Sequence, residues 1–446
     1  MYLEQHLPVL QVIIPLFLAL INVFSFNSRR SWGITVCAGV ISFTISILLF
    51  FQITHNNPSI YYNIGDWSSE VGIEYKVFAD NIKLLLCINF IFLIFTLLIL
   101  PTKISKLDQS KYGYLFYSIL LLFQTGALGI IITNDIFNLY VSIEIMSLAS
   151  YTILSYSDNK KSTIAALDYL IIGSIAATLI LLAIGIIFYL TGSLNIEIIH
   201  EFFQNNKIDK NLLKFSTSLI FLGIFVKIAL FPFNSWMINL YKVADIDILA
   251  YISGVSVVSN FYIFIKLTYY AIPYDMVFDN ASSSLITLMA NIAIILYAYN
   301  ACFAKNLRLI VINSSAVSVG YMCLIYLNSS EIKLIFIYLV TDAISKFALF
   351  SLVKYAEFNG KKIYIVPKIF RSSIIGVLIC FVIINNAGLP FSVNFLNKVN
   401  LLAHLLTKES YYSFTSVIIS SFLSLIYNYL ILQNIFFMDT KSVAFK

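Results

Sequence analysis

Apolar stretches about as long as a membrane is thick recur along the whole chain, and they constrain its fold more than any other feature. A helix of about 20 residues crosses the roughly 30 Å hydrocarbon layer of a bilayer, and it satisfies its own backbone polar groups at that depth. Charged residues make up 11% of the 446 residues and hydrophobic residues 60%, whereas soluble domains carry about 25% charged residues. The sequence therefore predicts an all-α polytopic membrane protein.

Thirteen such stretches can be located. They are residues 7–26, 32–53, 84–100, 113–133, 139–156, 164–190, 215–239, 246–270, 283–304, 307–327, 331–355, 372–406 and 411–437. The stretch 372–406 is too long for one straight helix, and it is interrupted at Gly388-Leu389-Pro390, where proline removes a backbone donor. We therefore predict about 13–14 transmembrane helices.

Lysine and arginine residues in the loops predict the orientation, because cytoplasmic loops carry more of them. If the N-terminus lies outside, sixteen fall at inward ends, namely Arg29, Arg30, Lys103, Lys106, Lys111, Lys160, Lys161, Lys242, Lys305, Arg308, Lys361, Lys362, Lys368, Arg371, Lys441 and Lys446. Six fall in outward loops, namely Lys76, Lys207, Lys210, Lys214, Lys333 and Lys408. This bias predicts an N-terminus outside and a cytoplasmic C-terminus.

Lys227 lies inside an apolar segment, five residues before Pro232. A lysine at the centre of a membrane helix costs about 2.5–3.5 kcal/mol on insertion scales, so such residues usually serve a function. A broken helix at membrane depth is tolerated only where protein covers it or where it lines a water-filled cavity. A charge beside a helix break therefore indicates an ion path.

The segment around Pro232 is echoed around Pro390, and a second deep lysine, Lys398, follows that break. The two breaks lie in the seventh and the twelfth stretch, an odd number of five positions apart, so the two copies enter the membrane with opposite topology. Broken helices at matching places in two inverted halves are typical of secondary transporters. We predict two inverted five-helix repeats, each containing a broken helix. The predicted domains are N-terminal helices with an outer hairpin at 1–111, repeats at 112–270 and 283–437, and a cytoplasmic tail at 438–446.

Glu144 is a further ionisable residue inside a span, and nothing near it in sequence can pair with it. Its partner should therefore come from another helix, and Lys227 is the leading candidate. A nearby carboxylate favours a charged lysine, whereas burial favours a neutral one. A proton relay requires such a balance, and the alternative is a static ion pair.

The remaining polar residues of the spans are weaker candidates. Asp342 and Lys346 are spaced i, i+4 and can neutralise each other on one helix face. Lys398 has asparagine neighbours in sequence, which predicts hydration. The other secondary candidates are Lys266, Ser314 and Ser315. Serines in membrane helices either hydrate a path or bond their own backbone.

The sequence predicts no metal site, no cofactor and no nucleotide-driven pumping. Its five cysteines and four histidines show no metal-ligand spacing, and no G-x-x-x-x-G-K-[ST] phosphate loop occurs. Nucleic-acid binding is not expected, because no basic patch interleaves with aromatic residues outside the apolar stretches.

Several segments together resemble one family in order along the chain. Asn134-Asp135-Ile136-Phe137-Asn138-Leu139-Tyr140 through Glu144 resembles the fifth transmembrane helix of the D subunit of Mrp multisubunit sodium/proton antiporters. Lys227 with Phe231-Pro232 resembles that family's seventh helix, and Lys346 resembles its eleventh. Gly388-Leu389-Pro390 through Lys398 resembles its broken twelfth helix. The resemblance covers about residues 60–437 and extends to the antiporter-like subunits of respiratory complex I.

The resemblance implies a proton-translocating subunit in a hetero-oligomeric complex of the cell inner membrane. It assigns a proton relay to Glu144, Lys227, Lys398 and Lys346, and it implies other membrane subunits as partners, with protons and Na+ as the ions. Protons would pass between these residues through water, while the cation exchanges elsewhere in the complex.

This sequence departs from the family at three positions that bear on the relay. Val258 stands where a lysine is usual, and Asn234 and Asp342 stand where histidine is common. Lys266 lies about two turns, or about 11 Å, beyond Val258, too far to replace that lysine without water. Two alternatives therefore stay open: a proton-pumping subunit of a complex I-type NADH-quinone oxidoreductase, and a non-transporting assembly or scaffold subunit.

Overall fold

The computed structural model describes residues 6–55, 58–66, 72–103, 113–156, 160–205, 209–328, 332–357 and 374–433. Helices dominate this part of the chain, and ten of them are long and apolar enough to cross a membrane. The predicted all-α polytopic fold is confirmed. The predicted tail at 438–446 lies outside the described residues.

The chain divides into two compact units, and the first comprises the described residues of Met1–Ile228 and Val255–Ser282. Its elements are α1 (Leu7–Val23), α2 (Ser28–His55), β1 (Ser59–Asn63), β2 (Glu74–Phe78), α3 (Asn81–Ile94), α4 (Gly113–Ile132), α5 (Ile136–Ser155), α6 (Lys160–Thr191), α7 (Ile196–Asn205), α8 (Lys210–Lys227), the later part of α10 (Ile246–Ile265) and α11 (Tyr274–Val277). A π-helical turn, Lys266–Ala271, extends α10.

Helix α5 is held in a fixed position because the backbone of its neighbour α4 packs closely against the backbone of α5. A Cβ atom built on Gly126 of α4 would lie only 2.5 Å from the backbone nitrogen of Met146. Small residues permit such close approach between membrane helices. The Asp135 carboxylate caps the start of α5 by accepting a hydrogen bond from the Asn138 amide at 2.6 Å. These contacts set the position of Glu144, which α5 carries.

The two strands form an antiparallel hairpin that is fastened to the start of α5. Glu74 of β2 is buried, and its carboxylate accepts hydrogen bonds from the side-chain amides of Asn134, at 3.1 Å, and of Asn195. The Asn134 amide also donates to the Glu74 carbonyl at 2.8 Å. One acidic residue of the hairpin therefore joins the segments that precede α5 and α7.

The second unit comprises the described residues of Ala229–Gly254 and Ser283–Lys446. Its helices are α9 (Ser235–Val243), the first part of α10, α12 (Asn280–Cys302, from Ser283 onward), α13 (Leu307–Asn328), α14 (Ile332–Glu357), α15 (Ile374–Ala387), α16 (Val393–Thr407) and α17 (Tyr411–Leu432). Lys354 of α14 pairs with Asp247 at 2.8 Å. This contact joins the end of one helix to the first turn of another.

Both proline segments interrupt helices. Helix α8 ends at Lys227 and α9 begins at Ser235, whereas α15 ends at Ala387 and α16 begins at Val393. The second interruption passes through Gly388 at φ +72°, a left-handed conformation that glycine adopts without steric cost. The inverted relation between the two repeats remains a prediction.

Candidate functional site

In the first unit, Lys227 is buried, and its hydrogen-bond partners among the described residues are all neutral. Its side chain leaves the last residue of α8 and is 2% exposed. The ammonium donates to the Ser147 hydroxyl at 2.7 Å and lies 3.5 Å from the Tyr151 hydroxyl. Both partners belong to α5, and their spacing of four residues places them on one face of that helix.

Glu144 lies one helical turn before Ser147 on α5 and is half-buried. Its charge acts on Lys227, yet the two groups form no ion pair within 4.0 Å in the described part of the chain. The Glu144 Oε1 atom is buried there without a hydrogen-bond partner. The predicted direct contact is therefore absent, because the lysine reaches α5 one to two turns beyond the carboxylate.

Gly173 of α6 provides the space that the Tyr151 hydroxyl occupies. A Cβ atom at Gly173 would lie 1.9 Å from the Tyr151 oxygen and 2.8 Å from ring carbon Cζ. The ring also packs edge-on against Tyr169, with 4.4 Å between the ring centroids. Sequence reasoning missed both Gly173 and Tyr151, because glycine and tyrosine are common in membrane helices.

Gly173→Ala is expected to move the Tyr151 hydroxyl away from Lys227 and to lower proton flux about tenfold, the size of losing one hydrogen bond to a charged group. The measurement is flux through the reconstituted complex, normalised to assembled protein. Gly185→Ala is the matched control, because it lies on the same helix and its added Cβ meets no atom within 4 Å. Equal flux in the two variants would contradict this placement of Tyr151.

Helix α10 brings polar atoms next to Lys227 although Val258 is apolar and fully buried. Asn260 is 2% exposed and donates from its side chain to the Lys227 carbonyl at 3.3 Å. The Asn260 Oδ1 atom and the fully buried Ser259 hydroxyl have no hydrogen-bond partner among the described residues. Buried polar atoms of this kind usually bind ordered water.

Lys266 begins the π-helical turn after α10 and is also buried. Its ammonium donates to the Ile130 carbonyl at 2.7 Å and to the Thr133 carbonyl, and it lies 5.1 Å from the centre of the Tyr262 ring. Both carbonyls lie at the C-terminal end of α4. The last carbonyls of a helix have no partner within the helix, and their partial negative charge stabilises a nearby cation.

In the second unit, the predicted pairing of Asp342 with Lys346 is present. Both side chains are buried, and the ammonium lies 2.7 Å from the carboxylate across one turn of α14. The opposite charges compensate each other locally, and breaking one partner of a buried pair is costly.

Lys398 on α16 resembles Lys227, because its hydrogen-bond partners within the described part of the chain are also neutral. Its buried ammonium donates to the Ala387 carbonyl at 3.0 Å and to the Ser424 hydroxyl at 3.2 Å. It also lies 5.3 Å from the centre of the Tyr321 ring, a cation–π contact. A Cβ atom at Gly388 would lie 2.9 Å from the same ammonium, so that glycine also gives the lysine room.

Among the described residues, no hydrogen bond joins the Lys398 ammonium to the asparagines near it in sequence. Asn394 instead accepts a hydrogen bond from Thr341 at 3.1 Å. Tyr338, which sequence reasoning missed, is buried on α14 one helical turn before Asp342.

Ser314 and Ser315 are buried on α13, and each donates to the backbone of its own helix. Their acceptors are the carbonyls of Val311, at 2.8 Å, and of Ile312, at 2.7 Å. These hydroxyls follow the alternative of local backbone bonding, and the structure places neither of them against a charged group.

Known proteins match the chain over most of its length. A putative antiporter subunit mnhD2 of Staphylococcus epidermidis is 26% identical over 432 residues, which cover 94% of this chain and 84% of the relative. The NADH-quinone oxidoreductase subunit N of Desulforudis audaxviator is 26% identical over 452 residues, which cover 97% of this chain and 87% of the relative.

Two solved structures share the fold. A chain of the Mrp complex from Dietzia sp. superposes with a TM-score of 0.84 at 19% identity, covering 98% of this chain and 81% of that one. A chain of the membrane-bound sulfane sulfur reductase, an archaeal respiratory membrane complex, gives 0.84 at 20% identity, covering 98% and 88%. Residues 133–426 match the family described as NADH:quinone oxidoreductase/Mrp antiporter, TM. The resemblance drawn from the sequence is thereby confirmed, and the chain belongs to this family of transmembrane subunits.

Proposed function

We propose that this chain is the proton-translocating subunit of a multisubunit monovalent cation/proton antiporter, with Na+ as the cation. Protons move through the polar cluster of each unit, carried by Lys227 with Glu144 in the first and by Lys398 in the second, where Lys346 stays in its ion pair with Asp342. Water fills the gaps between the side chains, and the cation is exchanged elsewhere in the complex.

One observation carries this proposal: two deeply buried lysines are bonded to neutral groups. A lysine that touches a carboxylate leaves an unpaired buried anion when it loses its proton, which is costly. Lys227 and Lys398 contact hydroxyls, a carbonyl and an aromatic ring, so either protonation state can exist there. Such lysines suit reversible proton transfer, because lysine changes its proton affinity readily when buried.

Other membrane subunits are proposed as partners, and the exposed face of α5 supports this. Glu144 is half-buried beside Val141, which is 37% exposed, and Leu148, which is 53% exposed. A carboxylate that borders the lipid-facing surface is expensive in hydrocarbon. A neighbouring subunit covering this face would remove that cost. The proposed location is the cell inner membrane, with the N-terminus outside.

A proton-pumping subunit of a redox complex is the second candidate, favoured by the similarity to the NADH-quinone oxidoreductase subunit N. The same buried lysines would serve that function, and only the energy source differs. In that case NADH oxidation, instead of a sodium gradient, drives protons across the membrane.

The proposal is tested in everted membrane vesicles that contain the assembled complex, with pH recorded after sodium is added. Sodium is expected to collapse an imposed proton gradient, and Glu144→Gln is expected to slow this response at least about tenfold, because removing a charge next to a relay group alters its proton transfer. Asp168→Asn is the matched control, since it makes the same chemical change at an exposed position on α6.

Three results would redirect the proposal. Proton pumping that starts when NADH is added and does not change when sodium is added assigns the chain to a redox complex. Unchanged flux in Glu144→Gln and in Lys398→Ala, together with lost assembly on truncation, assigns it a scaffold role. A sodium response equal to that of vesicles lacking the chain excludes antiport.

A further inference from the structure

Lys266 lies next to a small cavity on the hairpin side of the first unit. The cavity has a volume of about 40 Å³, and its walls include Lys76 of β2, Glu197 of α7, Tyr262 and Tyr270. A polar space of this size holds one or two water molecules. Buried though it is, the Lys266 ammonium therefore borders a space that water can occupy.

A second, larger cavity lies beside the first and shares two of its walls. It measures about 480 Å³ and is lined by Glu197 and Tyr270 together with His200, Glu201, Gln204 and Tyr269. Glu201, Gln204 and Tyr269 are exposed, so this outer cavity opens to the surface. Glu197 and Tyr270 line both spaces, so the small cavity next to Lys266 lies directly beside the open one.

The charges around the small cavity favour proton exchange at Lys266. Burial lowers the pKa of Lys76, but its hydrogen bond with Glu197 and the charge of that carboxylate outweigh burial, so the pKa of Lys76 lies above 10.5. Lys76 therefore keeps its proton and repels a second ammonium across the cavity.

A line of polar groups leads from Lys266 back toward Lys227. Ser259, Tyr262 and Lys266 are spaced i, i+3 and i+7, on one face of α10, and span about 10 Å along it. The Ser259 hydroxyl lacks a hydrogen-bond partner in the described structure, and the adjacent Asn260 bonds the Lys227 backbone. Buried polar atoms without protein partners usually bind ordered water, and these two residues lie on the helix that leads to Lys266 and contacts Lys227.

We propose that Lys266 is the terminal proton carrier of the first unit and exchanges protons with the outer cavity through the small cavity. This rests on the proposed relay through Lys227, and it supplies an opening to the hairpin side, which the loop charges predict to be outside. It also gives the chain a functional lysine in the π-helical turn that extends α10, although Val258 occupies the position where a lysine is usual in the family.

The competing role for Lys266 is purely structural, as a cation that caps the end of α4. Lys266→Arg and Lys266→Gln separate the two roles, because both retain donors for the Ile130 and Thr133 carbonyls. Neither side chain can release a proton, since arginine stays protonated and the glutamine amide does not titrate. Proton flux through the reconstituted complex, normalised to assembled protein, is expected to fall at least about tenfold in both variants.

The Lys266 variants and Lys227→Met together distinguish a loss of the terminal role of Lys266 from a loss of the relay through Lys227. Wild-type flux in either Lys266 variant, alongside flux lost in Lys227→Met, overturns the terminal role and leaves the relay intact. Wild-type flux in Lys227→Met overturns the relay itself. An assembled complex that conducts with arginine but not with glutamine also overturns the proposal, because it shows that only the charge is needed.

Access through the outer cavity is tested separately with a thiol reagent. Gln204→Cys lines the outer cavity, so a bulky, membrane-impermeant thiol reagent is expected to slow flux several-fold in that variant. Asn205→Cys is the matched control, because Asn205 is exposed on the next position of α7 and does not line the cavity. Equal effects on both variants, or no effect on Gln204→Cys, overturn the route through this cavity.

Discussion

Lys227→Met is expected to reduce proton flux at least about 100-fold, the range seen when a positioned proton-transfer group is removed. Methionine fills similar space in the core but cannot carry a proton, so the Ser147 hydroxyl would face an apolar chain. The complex should still assemble, because the lost partners are neutral hydroxyls and no carboxylate within 4.0 Å loses its counter-charge. Flux of protons into proteoliposomes, per assembled complex, is the measurement.

The control for this experiment is Lys214→Met, which changes a lysine on the same helix α8. Lys214 forms a 2.9 Å ion pair with Asp279, and both side chains are more than half exposed. Such surface pairs contribute little to stability, so this variant should keep wild-type flux. If Lys227→Met also keeps wild-type flux, the chain does not carry protons through its first unit.

Lys398→Met is the second substitution for which we expect a loss of at least about 100-fold in flux. The Ser424 hydroxyl also donates a hydrogen bond to the Ala387 carbonyl at 3.0 Å. This bond does not involve the lysine, so the local structure should survive the substitution. The rate is measured as for Lys227, and the thermal unfolding midpoint of the purified complex reports any structural damage.

Lys408→Met serves as the control for Lys398, because Lys408 follows the end of the same helix α16 and is exposed. A large loss of flux in Lys398→Met at an unchanged unfolding midpoint would support its role in transfer. A lowered midpoint with normal flux per assembled complex would instead assign Lys398 to structure alone.

The positions of the helices were accessible from the sequence because the bilayer imposes one length and one composition on every span. The interruption at Gly388-Leu389-Pro390 was equally readable, because proline and glycine act on the backbone of their own segment. The pairing of Asp342 with Lys346 was predictable for a similar reason, since a spacing of four residues on a helix brings two side chains together.

Contacts between helices were less accessible, and Lys227 shows why. The spacing of Glu144 from other charges predicted a contact with Lys227. The Lys227 side chain instead reaches α5 one to two helical turns after Glu144, where it contacts Ser147 and Tyr151. The partner of Lys398 was missed because Ser424 is one serine among many in α17. Position along the chain does not specify which rotamer a long side chain adopts or which helix packs opposite it.

Lys266 illustrates a second limit, because its importance depends on empty space. The carbonyls of Ile130 and Thr133 lie more than 130 residues away in sequence, and a cavity leaves no mark in composition or spacing. Val258 could be recognised as a missing lysine, but nothing in the residue pattern indicates that a cavity lies next to Lys266, two helical turns later.

The buried Glu74 carboxylate of the β1–β2 hairpin obtains its hydrogen-bond partners late in biosynthesis. Its two amide donors, Asn134 and Asn195, lie 60 and 121 residues further along the chain, after four and six helices, respectively. Until both have been synthesised, the nascent hairpin carries an acidic group without its native partners. The native hydrogen bonds of the hairpin can therefore form completely only after the chain as far as Asn195 has been made.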